Sequence, residues 1–126
     1  MNVISFVPGT RLDQVIVISA HYDHLGIFNG QIYNGADDNA SGSAALLYLA
    51  QYFACPANKP KNSLMFVHFD GEEGNGGPFD ALIIRPVPAF PAGSRYFVQN
   101  PPLPLDKIKL NINLDMIRYN IIGKNV

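Results

Sequence analysis

The sequence predicts an α/β fold built on a mixed, largely parallel sheet with flanking helices. Two runs, residues 15–18 and 64–67, are continuous and apolar, as strands covered on both faces require. A segment with helical spacing, residues 39–53, lies between them, which is the order expected for a helix that crosses over between parallel strands. Acidic or histidine-bearing segments follow the strands, and such sheets bind ligands at the carboxyl ends of their strands.

The first part of the chain reads as two strands and a loop. Residues 3–7 predict a short strand, and the β-branched run 15–18 predicts a central one that delivers His21 to its C-terminal end. Gly26 and the pair at residues 29–30 are turn formers, so we expect a long irregular loop after this strand.

The helix that follows has apolar residues most of the way round, which predicts that it is buried. Asn39 or Ser41 can cap it, and it stops before Pro56. The second buried strand, residues 64–67, then leads to the acidic stretch at residues 70–73.

Residues 74–92 fit neither the helical nor the strand period, and we expect an irregular insertion there. Residues 93–99 predict a helix with Ser94 as its cap and with Tyr96 and Phe97 buried.

The last predicted strand has one apolar and one polar face, because Ile108, Leu110, Ile112 and Leu114 alternate with Lys and Asn. It ends at Asp115. Three strand ends therefore carry groups that can ligate a metal, and core packing alone gives no reason for acids to recur there.

Composition limits the possible partners. With 126 residues, 48% of them hydrophobic and 15% charged, the chain is expected to form one domain. A net charge of −1 provides no basic surface for nucleic acid or an anionic membrane. Neither a signal peptide nor an apolar run of about 18 residues is present, so the chain as written is expected to be cytoplasmic. Nothing indicates an oligomeric state.

The segments at residues 21–24 and 35–42 predict a metal site. Imidazole nitrogen and carboxylate oxygen together suit zinc or a similar divalent ion, and carboxylates can bridge two such ions. Asp23 can accept the second imidazole proton of His21 and fix its tautomer. Asp37 and Asp38 can divide two roles, one as a ligand and one at the helix N-terminus. His24 and His68 are interpreted as structural.

Four motifs in this order resemble the zinc exopeptidases of the bacterial leucyl aminopeptidase and glutamate carboxypeptidase type. They are HYDHLG at residues 21–26, GADDNASG at 35–42, DGEE at 70–73 and NLDM at 113–116. The resemblance implies a zinc-exopeptidase fold, also called phosphorylase/hydrolase-like, and two zinc ions. It also implies hydrolysis of N-terminal peptide bonds on peptides with a free N-terminus.

The resemblance also implies a role for each site residue. His21 and Asp115 would hold one zinc, Asp37 would bridge both and Glu73 would hold the other. Glu72 would be the general base that takes a proton from the metal-bound water, and Asp23 would orient His21. The peptide bond between the two adjacent aspartates is expected to be cis.

The same resemblance implies that residues 1–126 are the middle of a catalytic domain, incomplete at both ends. Family members are often secreted or periplasmic. Their second zinc takes a further His from a later segment, so we expect one complete protein site in this chain and at best weak activity from the chain alone. One alternative is an inactive metal-binding fragment. Another is an acyltransferase of the glutaminyl cyclase type that uses one zinc, which the complete first-site set His21, Asp37 and Asp115 disfavours.

Overall fold

A computed structural model describes residues 1–73 and 91–117, so most of the predicted insertion at residues 74–92 lies outside the described residues. Two α-helices, six strands and the short 3-10 helices Pro56–Asn58 and Leu105–Lys107 form in this part of the chain. The α-helices and strands are β1 (Val3–Val7), β2 (Arg11–His21), β3 (Gly26–Phe28), β4 (Gln31–Tyr33), α1 (Gly42–Ala54), β5 (Asn62–Phe69), α2 (Ala92–Gln99) and β6 (Ile108–Asn113).

Four strands form one mixed sheet in the order β1-β5-β2-β6. β2 is parallel to both β5 and β6, and β1 is antiparallel to β5. The predicted mixed, largely parallel sheet is therefore confirmed. β2 is an interior strand, as its β-branched run requires, and α1 connects it to its parallel neighbour β5.

The two faces of the sheet bury separate apolar clusters. Phe97 of α2 packs on one face against Val17 and Val67. Leu46 of α1 packs on the other face against Ile18 and Phe66. This alternation of β2 and β5 side chains between the faces explains why both strands are apolar without interruption.

Residues 26–33 correct the prediction of an irregular loop. They form a hairpin of β3 and β4, joined by the two residues Asn29 and Gly30. Both have positive φ, 49° and 75°, which is the backbone of a type I′ turn and the conformation that Asn-Gly pairs favour.

Helix α1 corrects two further predictions. It begins at Gly42 rather than at residue 39, although the Asn39 side chain does accept a hydrogen bond from the Gly42 N–H at 3.1 Å. Its outer face is not buried, since Leu47 is 62% and Tyr48 67% exposed. The helix packs on the sheet along one side only.

Helix α2 begins at Ala92, one residue earlier than predicted, so Ala92 does not belong to the insertion. Its N-cap is Pro91 and not Ser94. Phe97 is buried as predicted, and its ring packs edge-to-face against that of Phe69, with 5.8 Å between the ring centroids. Tyr96, in contrast, is 63% exposed.

Strand β6 lies at the edge of the sheet. Its register with β2 shifts opposite residues 15–16, and this shift interrupts the alternation of its side chains between the two faces. Ile108 consequently packs with the α2 cluster, while Leu114 packs with the α1 cluster. On the polar face the Ser19 hydroxyl lies 3.0 Å from the side-chain oxygens of Asn111 and Asn113. Neither helix of the described ranges has the length and hydrophobicity of a membrane span.

Candidate metal centre

The parallel strands bring their carboxyl ends to one edge, where the predicted site residues meet. His21 ends β2, Glu72 and Glu73 follow β5, and Asp115 follows β6. The irregular helical turn Ala36–Ser41, just before α1, adds a further carboxylate. Sequence order separates these segments by up to 94 positions, and only the parallel pairing of β2 with both neighbours places them together.

His21 is the centre of the site. Its side chain is 3% exposed, and its buried Nε2 atom has no hydrogen-bond partner among the described residues. Carboxylate oxygens nevertheless lie close to Nε2, that of Asp38 at 3.1 Å and that of Asp115 at 3.5 Å. A buried ring nitrogen that has acidic oxygens beside it but hydrogen-bonds none of them is suited to ligate a cation.

The position next to His21 belongs to Asp38 and not to Asp37. In the described residues, three groups of three side chains bring potential metal-ligand atoms within 4.8 Å of one another. The first group is His21, Asp38 and Asp115, the second is His24, Asp38 and Glu73, and the third is His21, Glu72 and Glu73. Asp38 belongs to two of these groups, whereas Asp37 belongs to none. The Asp37 carboxylate instead accepts a hydrogen bond from the Ser41 hydroxyl at 3.2 Å. The cis peptide bond is likewise one residue later than expected, between Asp38 and Asn39. The structure thus places the Asp38 carboxylate, and not that of Asp37, beside His21, and the metal-ligand roles of the two aspartates stay predictions.

Asp23 contacts more than His21. The His21 Nδ1 atom lies 3.2 Å from the backbone carbonyl oxygen of Asp23, which is nearer than the Asp23 carboxylate at 3.8 Å. That carboxylate instead accepts the backbone N–H groups of Glu72 and Glu73, at 3.1 and 3.0 Å. Asp23 therefore orients the imidazole through its main chain and holds the acidic turn after β5 through its side chain.

A second group of potential ligand atoms lies beside the first. One atom each from His24, Asp38 and Glu73 are all within 4.8 Å of one another. Within this group His24 Nδ1 lies 3.1 Å from Glu73 Oε1. Asp38 is therefore the residue that these two groups share, whereas the resemblance implies the shared position for Asp37.

Glu72 is part of a third group, with His21 and Glu73. Burial raises the pKa of Glu72 above its ordinary value; the His21 charge opposes this rise and the Glu73 carboxylate adds to it. For His21, burial lowers the pKa, but the Glu72 charge, the hydrogen bond to the Asp23 backbone and the charges of Asp115 and Asp38 together outweigh burial, so the pKa is raised above 6.5. In the metal-free protein the centre therefore favours protonation of both groups.

Asn39 links the two loops that carry Asp38 and Asp115. It is 2% exposed, and its Nδ2 atom donates to the Leu114 carbonyl at 2.9 Å. Its Oδ1 atom accepts from the N–H groups of Gly42 and Met116, at 3.1 and 3.2 Å. This side chain fixes the distance between two metal-site segments that are far apart in sequence.

The donor set fits zinc. Two atoms bonded at about 2.0–2.1 Å to a tetrahedral zinc lie about 3.3 Å apart. The contacts of His21 Nε2 with Asp38 and Asp115, at 3.1 and 3.5 Å, bracket that separation. One imidazole and two carboxylates also leave a coordination position for water or substrate, as in catalytic zinc sites.

Comparison with known proteins assigns the chain to a family. Residues 2–124 match peptidase family M28. The chain belongs to that family. Its fold is also that of solved zinc exopeptidases, since it superposes on a Zn-dependent exopeptidase from Parabacteroides distasonis with a TM-score of 0.69. Sequence identity in that pair is 24%, and the match covers 92% of this chain and 41% of the other.

Other relatives of this M28 chain carry different names. A vacuolar membrane protease of Ajellomyces dermatitidis is 40% identical over 87 residues, which are 57% of this chain and 8% of that protein. Leucine aminopeptidase 1 of Grosmannia clavigera is 34% identical over 79 residues, 58% of this chain and 19% of that protein. An Acidobacteriales bacterium glutaminyl cyclase superposes with a TM-score of 0.67 at 28% identity, over 92% of this chain and 37% of the other. The chain spans less than half the length of each.

Proposed function

We propose that this M28 chain carries the catalytic centre of a zinc-dependent exopeptidase of the aminopeptidase type, which acts on peptides with a free N-terminus. One observation carries the proposal: the buried Nε2 atom of His21 hydrogen-bonds no described residue, while the Asp38 and Asp115 carboxylates lie 3.1 and 3.5 Å from it. The aminopeptidase type rests on the motif resemblance and on the similarity to leucine aminopeptidase 1.

The residues around the centre have distinct tasks. Zinc held by His21, Asp38 and Asp115 would supply the Lewis acidity that polarises the peptide carbonyl and activates water. Glu72, which forms a neighbouring group with His21 and Glu73, accepts the proton of the attacking water and returns it to the leaving amine. Because the pKa of Glu72 is raised, it lies nearer to neutral pH, and this favours both uptake and release of the proton. The Asp23 carboxylate fixes the backbone from which Glu72 projects.

A second candidate is the glutaminyl cyclase reaction, in which the α-amine of an N-terminal glutaminyl residue attacks its side-chain amide carbon and releases ammonia. The structural likeness to a glutaminyl cyclase at 28% identity supports it. The second group of ligand atoms, on His24, Asp38 and Glu73, favours the peptidase because its chemistry is expected to use two metal ions. Release of leucine from a leucyl substrate, as opposed to cyclisation of a glutaminyl peptide, separates the two reactions.

The test is Glu72→Gln in the 126-residue chain, assayed with zinc on leucyl-p-nitroanilide. We expect the first zinc to bind with unchanged affinity and turnover to fall by about 10² to 10⁴, the contribution of a positioned general base. Asp13→Asn, at an exposed carboxylate on β2, is the matched control and should leave both unchanged. Parallel loss of zinc and activity in the Gln variant would make Glu72 a ligand. Zinc binding without hydrolysis by the unaltered chain would favour the inactive metal-binding alternative.

A further inference from the structure

We propose that His24 is a protein ligand of a second metal position, together with Asp38 and Glu73. The inference rests on the proposed function, because it assigns a new residue to the same centre. The sequence alone predicts that His24 is structural and that the second zinc has no imidazole within residues 1–126, and the inference changes both expectations.

The geometry of the three side chains carries the inference. The contact from His24 Nδ1 to Glu73 Oε1 is 3.1 Å, close to the separation of about 3.3 Å between two ligands of one tetrahedral zinc. All three ligand atoms lie within 4.8 Å of one another. The side chains of His24 and Glu73 are 21% and 16% exposed, so solvent can reach the site although both side chains are held in place.

The backbone at Gly35 lies close to both the His24 ring and the loop that carries Asp38. Gly35 lies against this ring with a φ of 59°, and a Cβ atom at Gly35 would be 2.6 Å from His24 Cγ and equally close to the Asp38 carbonyl oxygen. Only glycine tolerates both this backbone and this approach. This close approach fits an imidazole position from which one ring nitrogen lies within 4.8 Å of carboxylate oxygens of both Asp38 and Glu73.

The simpler interpretation is a metal-independent hydrogen bond or ion pair between His24 and Glu73. The two interpretations differ in what an asparagine at position 24 would do. Asparagine Nδ2 occupies roughly the place of histidine Nδ1 and can still donate to Glu73, but an amide is a poor zinc ligand. His68 offers a matched control, since its Nε2 lies 3.4 Å from the Ser43 carbonyl oxygen and belongs to none of the three groups.

The experiment is a zinc titration of the metal-free 126-residue chain in competition with a chromophoric chelator. We expect two binding constants for the unaltered chain and for His68→Asn. His24→Asn should keep the first constant and lose at least about tenfold in the second, because even residues that only support a ligand cost 10- to 100-fold. X-ray absorption should count about one imidazole per zinc in the unaltered chain and about half as many in His24→Asn.

Two outcomes overturn the inference and leave the proposed function intact. They are a single zinc per chain that His21→Asn abolishes, and a second constant that His24→Asn leaves unchanged. If the unaltered chain binds no zinc, or if His21→Asn leaves both constants unchanged, the proposed centre itself is wrong. Thermal unfolding followed by circular dichroism confirms that each variant is folded, and free imidazole added to His24→Gly should restore the second constant if the ligand role is correct.

Discussion

Substitution of Asn39 by alanine tests whether one amide holds the metal centre together. Asn39 makes three hydrogen bonds, to Leu114, Gly42 and Met116, and it is 2% exposed. The variant removes all three bonds and leaves three backbone groups without their partner. It also uncouples the loop of Asp38 from the segment of Asp115.

The magnitude follows from these contacts. Each hydrogen bond contributes a net of about 1 kcal/mol, so the three together predict a loss of about 3 kcal/mol in the free energy of unfolding. A domain of this size has only about 5–15 kcal/mol in total. Zinc affinity at the His21 position should fall by about 10- to 100-fold, as for other residues that position ligands without touching the metal.

Urea unfolding of the metal-free protein measures the first quantity, and chelator competition measures the second. Asn58→Ala is the control, because Asn58 donates a single exposed hydrogen bond to the Tyr52 carbonyl at the other end of α1. It should cost well under about 1 kcal/mol and leave zinc affinity unchanged. If Asn39→Ala weakens zinc binding no more than Asn58→Ala does, Asn39 has no positioning role in the centre.

Three further predictions concern the core, the loop before α1 and pH. Leu46→Ala, at a side chain that is 0% exposed, should lower the free energy of unfolding by about 2–5 kcal/mol, and Leu47→Ala, at a 62% exposed side chain, by far less; equal effects in urea would refute the packing. Gly35→Ala should weaken the second zinc constant, whereas Gly30→Ala, with a φ of 75° but open space around it, should cost stability only. Because the pKa of His21 is raised, the metal-free protein gains stability below pH 6.5 and loses it as pH rises through the folded-state value; the raised pKa of Glu72 acts in the same direction. Saturating zinc should reverse this slope in urea titrations at about pH 6 and 8, since zinc displaces the His21 proton; a metal-free protein more stable at pH 8 contradicts the prediction.

The sequence by itself determined the order of the elements and the edge at which the site forms. The apolar runs of β2 and β5, with a helix between them, are local patterns that specify parallel strands. His21, Glu72, Glu73 and Asp115 follow strands that the pattern already predicts, so their meeting at one edge required no knowledge of contacts. The hairpin at residues 26–33 was also encoded, in the Asn-Gly pair, and was missed because its strands are only three residues long.

Tertiary structure decided which of several equivalent residues faces the centre. Asp37 and Asp38 are adjacent and identical, and which of them lies beside His21 depends on the turn before α1, which Asn39 ties to Leu114 across 75 positions. The position of the His24 ring depends on the close approach of Gly35. The outer face of α1 is exposed because the helix packs on the sheet along one side only. These outcomes arise from contacts between segments distant in sequence. A local pattern fixes which face or end a residue occupies, but the direction of a side chain in a loop is set by the neighbours that the fold brings to it.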